Sequence, residues 1–170
     1  MFSPALLSTE LIALENMDGI DAIMTYKTYS GRFKPRYPGK YKGDPTNIIY
    51  RSLWERKFMG WCDLNENVIE CGSEEIIIPY RSPIDGRFHR YFPDFYVKSR
   101  TKSGGLAKRI IEIKPFAQTQ APANQKRKTQ KFLKEVATYG VNQAKWKAAK
   151  EYCKDRRMQF VILTENELRV

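Results

Sequence analysis

Between residues 47 and 62 apolar side chains return every three to four positions, whereas beyond residue 74 they come in short β-branched and aromatic runs. In the first stretch Ile48, Ser52, Glu55, Met59 and Cys62 share one stripe at i, i+4, i+7, i+11 and i+14. Asp44 followed by Pro45 reads as an N-cap with proline in the first turn, which predicts a helix from about Thr46 to Cys62. Glu74–Tyr80 and Phe88–Val97 read as strands, joined through Arg81–Arg87 with the hairpin signal Asp85-Gly86. A loose basic link at Lys98–Ala107 leads to a third strand at Lys108–Lys114. Pro115–Asn124 reads as a loop and Lys126–Arg157 as helix, interrupted at Gly140. Phe160–Leu163 is a last short strand, and Thr164–Val170 a tail. The order is therefore helix, three strands with a hairpin, helix, strand: an α/β fold without internal repeats.

The N-terminal part is different. Residues 1–30 form an extension of mixed acidic and apolar character, with a short helix expected at Thr9–Met17. Residues 27–46 combine six bases, four aromatics, three prolines and three glycines, a composition that predicts irregular structure. We accordingly divide the chain into the 1–30 extension, a basic Pro/Tyr-rich arm at 31–46, and one domain at 47–170. A length of 170 residues with 42% apolar content suits one domain with a hydrophobic core.

Charge narrows the partner. The formal net charge is +11, and residues 1–26 hold four acids and no base, so the excess lies entirely in the remainder. Such a surplus favours a polyanion, although ribosomal or membrane-surface binding would explain charge alone. One histidine and three unpaired-looking cysteines (Cys62, Cys71, Cys153) argue against a Cys/His zinc site, a disulfide framework or histidine-rich chemistry. No membrane span or signal peptide is expected, and a reducing cytosol, or a particle assembled there, is the expected setting.

The candidate chemistry sits on the strands. Asp94 follows Pro93 in Tyr91–Val97, and Glu112 and Lys114 lie in Ile110–Lys114. Side chains alternate along a strand, so Glu112 and Lys114 project together while Ile111 and Ile113 enter the core. Two carboxylates and an ammonium suit a hard divalent cation beside a water and a phosphate. Glu55, the one acid on its helical stripe, is expected to reach over the sheet towards them. The plainer alternatives are a surface pair of Glu55 with Arg51 or Lys57, a turn-bonded Asp94, and a solvated Glu112–Lys114 salt bridge. Pro93 predicts a bent or edge strand at that point.

Pro93-Asp94 followed by Glu112-Ile113-Lys114, after a helix carrying Glu55, resembles the PD-(D/E)xK nuclease superfamily. Beyond it, Gly31–Tyr41, Tyr50–Glu55, Glu74–Val97, Ile110–Pro122 and Thr138–Cys153 resemble the head-completion nucleases of T-even-like tailed phages. The resemblance covers about Gly31 to Leu168. It implies a mixed sheet flanked by helices, Mg²⁺-dependent hydrolysis of DNA phosphodiesters (Mn²⁺ as a substitute), and a 5′-phosphate product. It also implies action when a filled head is prepared for its tail, in the host cytoplasm with retention in the virion head as a further option. In that scheme Asp94, Glu112 and the Ile113 carbonyl hold the metal, Lys114 orients water and stabilises charge, and Glu55 serves a second metal or its water.

For duplex or branched DNA the candidate contacts are Lys126, Arg127, Lys128 and Lys131 beyond the catalytic strand, Arg32, Lys34 and Arg36 in the arm, and Asn142 and Lys145. Residues 126–157 carry eleven bases against three acids, a pattern equally natural for a solvated helix face. Trp54, Trp61 and Trp146 are expected in the core rather than as stacking platforms. Phage head or neck proteins are further candidate partners, and the oligomeric state stays open. Two alternatives stand beside the nuclease: a non-enzymatic neck or capsid protein on the same scaffold, and a junction resolvase or transposase-type enzyme of the superfamily.

Overall fold

The computed structural model describes residues 29–169. The helix expected at Thr9–Met17 lies outside them. Eight strands and four α-helices follow in the order β1 (Gly31–Phe33), β2 (Ile48–Tyr50), α1 (Leu53–Leu64), β3 (Val68–Ser73), β4 (Ile78–Arg81), β5 (Phe88–Tyr91), β6 (Phe95–Arg100), β7 (Leu106–Ile113), α2 (Phe116–Thr119), α3 (Gln130–Asp155), β8 (Gln159–Leu163) and α4 (Glu165–Leu168), with a short 3-10 turn at Pro38–Lys40.

The central sheet has the order β3-β6-β7-β8. Its first three strands run antiparallel, and β8 joins β7 in parallel. Parallel neighbours need a long crossover, which α3 supplies. The result is the expected mixed sheet flanked by helices. One face carries Val68, Phe95, Val97, Ile111, Ile113 and Leu163 against Trp54, Phe58, Met59 and Cys62 of α1. The other carries Ile110 against Ala149 and Cys153 of α3, together with Ile78, Tyr80 and Tyr91.

Several local expectations change. Helix α1 starts at Leu53, capped by the Ser52 side chain, which accepts from the Glu55 N–H. Asp44 closes a small turn instead, its Oδ1 accepting from the N–H and hydroxyl of Thr46. Ile48–Tyr50 is a strand paired with Gly31–Phe33, so the arm contains regular structure. The Phe88–Val97 run splits at Phe92–Asp94: β4 and β5 pair only with each other, while β6 belongs to the central sheet and includes Lys98–Arg100. Strand β3, absent from the sequence reading, forms the edge of the central sheet beside β6. Helix α3 runs through Gly140 without a break.

The arm is held against the domain by a buried acid. Asp63, near the end of α1, accepts from the N–H groups of Arg36 (2.6 Å) and Tyr37 (2.9 Å). Lys40 donates to the carbonyls of Asp63 and Asn65. Phe33 and Tyr41 pack on the α1-side core.

Candidate active site

Strands β6 and β7 pair Phe95 with Ile111. One step further along the same antiparallel register sets Asp94 opposite Glu112. Pro93, which has no N–H to give to a ladder, is where the chain turns from β5 into β6. The Asp94 carboxylate accepts from the Ile113 N–H at 2.7 Å, which ties it to the end of β7. Ile111 and Ile113 face the α1 core, as the alternation predicted, and Glu112 faces the other way.

Glu112 is only 4% exposed. Its Oε2 accepts from the Tyr91 hydroxyl at 2.6 Å, and its Oε1 meets the Lys114 ammonium at 3.1 Å. A buried carboxylate needs such partners. Lys114 itself is fixed at the backbone, where its N–H donates to the Leu163 carbonyl of β8. Burial and then the Glu112 charge push the Asp94 carboxyl well above its ordinary value, with Lys114 opposing and Glu55 adding to the effect. Burial also raises Glu55, against hydrogen bonds from Arg51 and Ser52 and the attraction of Lys114. The Tyr91 hydroxyl is raised by burial and by Glu112, so it stays a proton donor.

The structure thus brings Asp94, Glu112 and Lys114 together at one end of the sheet, with Glu55 in electrostatic reach from α1. Glu55 is not free to swing in without loss. Its Oε2 accepts from the Arg51 N–H at 2.7 Å and its Oε1 from the Ser52 hydroxyl at 3.1 Å. Among the described residues no three carboxylate, imidazole or thiolate side chains converge as a closed metal cage. What is present is a pair of hard oxygen donors, one of them destabilised as an anion by its surroundings. That fits a divalent cation held by one or two carboxylates with water and phosphate completing its shell, the usual manner of Mg²⁺.

The other candidates fall on separate surfaces. Lys126, Arg127 and Lys128 are exposed in the loop before α3. Lys131 and the buried Asn142 line a cleft of about 580 Å³ between α3 and the 117–122 segment, just past Lys114. Lys145 lies over the rings of Tyr80 and Tyr91, at 5.7 and 5.6 Å. Arg32, Lys34 and Arg36 are exposed on the arm. Trp54 and Trp146 are buried.

The roles of three residues near the site escaped the sequence reading. Tyr91 carries no motif; its only sign was its place in an aromatic strand just before Asp94. Arg51 grips Glu74 through Nε and Nη2 at 3.1 and 2.8 Å, and senses the charges of Glu55 and Asp94. Ser52 did have a signal, because Ser52-Leu53-Trp54-Glu55 is the S-x-x-E pattern of a helix start.

A sheet carrying an acid pair and a lysine at one end suits a nuclease domain, and similarity to known proteins shows one. The TnsA-like endonuclease N-terminal family matches residues 65–165, more than half of the chain, and the chain belongs to that family. The matched span holds Asp94, Glu112 and Lys114 but stops short of Glu55. The Head completion nuclease of Enterobacteria phage T4 is 42% identical over 145 residues, covering 83% of this chain and 94% of that protein. Both bear out the resemblance read from the motif. Among the described residues no helix is long and apolar enough to cross a membrane.

Proposed function

We propose that this chain is a metal-dependent endodeoxyribonuclease of the PD-(D/E)xK type. It would hydrolyse phosphodiesters of double-stranded or branched DNA at phage head completion, before tail attachment. The observation that carries the reading is the enclosed Asp94–Glu112 pair facing Lys114 across β6 and β7. The similarity to the phage T4 Head completion nuclease supports the stage at which it acts.

Asp94 and Glu112, with the Ile113 carbonyl, would hold Mg²⁺ or Mn²⁺. When bound, that ion supplies Lewis acidity towards a phosphate oxygen and favours deprotonation of water. Lys114 would orient the attacking water and stabilise the extra negative charge on the pentacovalent phosphorus. Tyr91 would fix the Glu112 carboxylate by its hydroxyl bond, so that one orientation is presented. Glu55, held by Arg51 and Ser52, would add negative potential from the helix side. Lys126, Arg127, Lys128, Lys131 and Asn142 would take the backbone of the duplex beside the catalytic strand, with Arg32, Lys34 and Arg36 of the arm, and Lys145, as further contacts. Work in the host cytoplasm during assembly, alongside head or neck proteins, follows from the same reading.

Cleavage of linear, nicked and branched DNA with Mg²⁺, with EDTA, and by Glu112→Ala tests it. Metal-dependent cutting that disappears in the variant is expected. Binding without cutting on every substrate would instead make the chain a DNA-binding neck protein. The TnsA-like family match favours one second reading, a junction resolvase or transposase-type nuclease. Symmetric paired cuts in four-way junctions by a dimer would select it.

A further inference from the structure

The β4–β5 hairpin has one face that the domain does not use. Register pairs Ile78 with Tyr91 and Tyr80 with His89 on the inner face, and Pro79 with Arg90 and Arg81 with Phe88 on the outer. The inner apolar residues pack on α3. The outer ones are exposed throughout, and Phe88 is 76% exposed. Phe92 (40% exposed) follows, with the Arg90 guanidinium 5.9 Å from its ring centre. The tip adds exposed Ile84 and Arg87, and Gly86 in a left-handed turn at φ 68°. The local acid, Asp85, already meets His89 at 2.8 Å.

Large aromatics left in water beside arginines serve no packing purpose here. Their interleaving matches what unstacked nucleic acid offers: flat bases for the rings, phosphates for the guanidinium groups. The position also matters. Tyr91, at the end of β5, holds Glu112, and the chain passes from Phe92 through Pro93 to Asp94. The Phe92 end of the outer face therefore stands two residues from Asp94 along the chain, close enough in sequence for one nucleic-acid strand to be shared between them.

We infer that the outer face of the β4–β5 hairpin is a stacking platform for unpaired bases, through Phe88 and Phe92, and selects frayed or branched DNA for the adjacent site. The inference rests on the nuclease reading for its substrate. A fully paired duplex keeps its bases stacked on each other and offers the platform only phosphates.

Binding of the full chain is measured in EDTA, so that cutting plays no part, to a blunt duplex and to the same duplex ending in an unpaired fork. Phe88→Ala should weaken fork binding about five-fold or more, the scale of one base–aromatic stack, while duplex binding changes less than about two-fold. Phe88→Trp should keep the fork preference. Phe88 is mostly exposed, so both variants retain the fold. Equal losses on both DNAs, or none on the fork, would overturn the platform. Unchanged DNA binding together with failure to join phage heads would overturn it in favour of a protein contact. A Phe88 effect on the fork in a chain that cuts nothing would keep the platform and remove the nuclease.

Discussion

Strand β7 shows two different environments on its two sides. Towards α1, Ile111 and Ile113 sit among Phe58, Phe95, Val97 and Leu163 in a dry core. Away from it, Glu112 is just as deeply buried, but its neighbours are a phenol, an ammonium and a second carboxylate. The first side gains free energy from removing apolar surface from water. The second holds charges in an arrangement that is unfavourable by itself, which is the usual mark of a site kept for chemistry. Adjacent residues on one strand thus separate the packed core from the candidate site.

That separation sets the expected outcomes. Glu112→Ala should remove cleavage by about a thousand-fold or more while DNA affinity in EDTA stays near the parent value. Ile111→Ala should do the reverse. Loss of a fully buried isoleucine should cost about 2–5 kcal/mol in a urea titration, with turnover per folded molecule little changed. A large loss of turnover there would mean that the two sides of β7 are mechanically coupled.

Asp94→Asn sharpens the contrast, because it removes one of the two like charges and keeps an oxygen for the Ile113 N–H. It should abolish cutting yet raise Tm in EDTA by about 2–4 °C, roughly 1 kcal/mol in a domain of this size. The sign follows from linkage. With the Asp94 carboxyl raised by burial and Glu112, the folded state binds that proton more tightly than the unfolded chain. Stability on this account falls as pH rises from the ordinary carboxylate range through the raised value. Parent and Asp94→Asn should differ least at acid pH and most above that range. The smallest expected effect is on neither side. Changing Lys126, Arg127 and Lys128 together to Ala should weaken DNA binding and flatten its salt dependence, leaving the unfolding free energy within about 1 kcal/mol of the parent.

The parts most legible in the sequence were those governed by period-two alternation. Ile111, Glu112, Ile113 and Lys114 sort onto faces as their order dictates, and Asp85-Gly86 turns the hairpin as expected. Less legible were features fixed by distant partners. Val68–Ser73 mixes apolar, acidic and glycine residues, and becomes a strand because β6 offers it an edge. Lys98 and Arg100 read as a linker by charge, yet both sit in a strand paired on two sides. Gly140 weakens a helix by about 1 kcal/mol relative to alanine, which the contacts of a 26-residue helix override. The helix start was legible but misread, since Asp44-Pro45 and Ser52-x-x-Glu55 both qualify and only the second adjoins the buried stripe. Tyr91 and the Arg51–Glu74 pair had no sequence signal, because their partners lie 21 and 23 residues away.

Strand β8 reaches its place beside β7 only after the whole of α3 has been traversed, and its Leu163 carbonyl receives the Lys114 N–H. A ribosome that has released residues up to Pro115 has already made every member of the acid–lysine group, but not the strand that anchors its lysine. Pairing across so long a crossover is among the slower events in folding. The order of synthesis therefore works as a delay, with the acid–lysine group anchored only when β8 has docked beside β7.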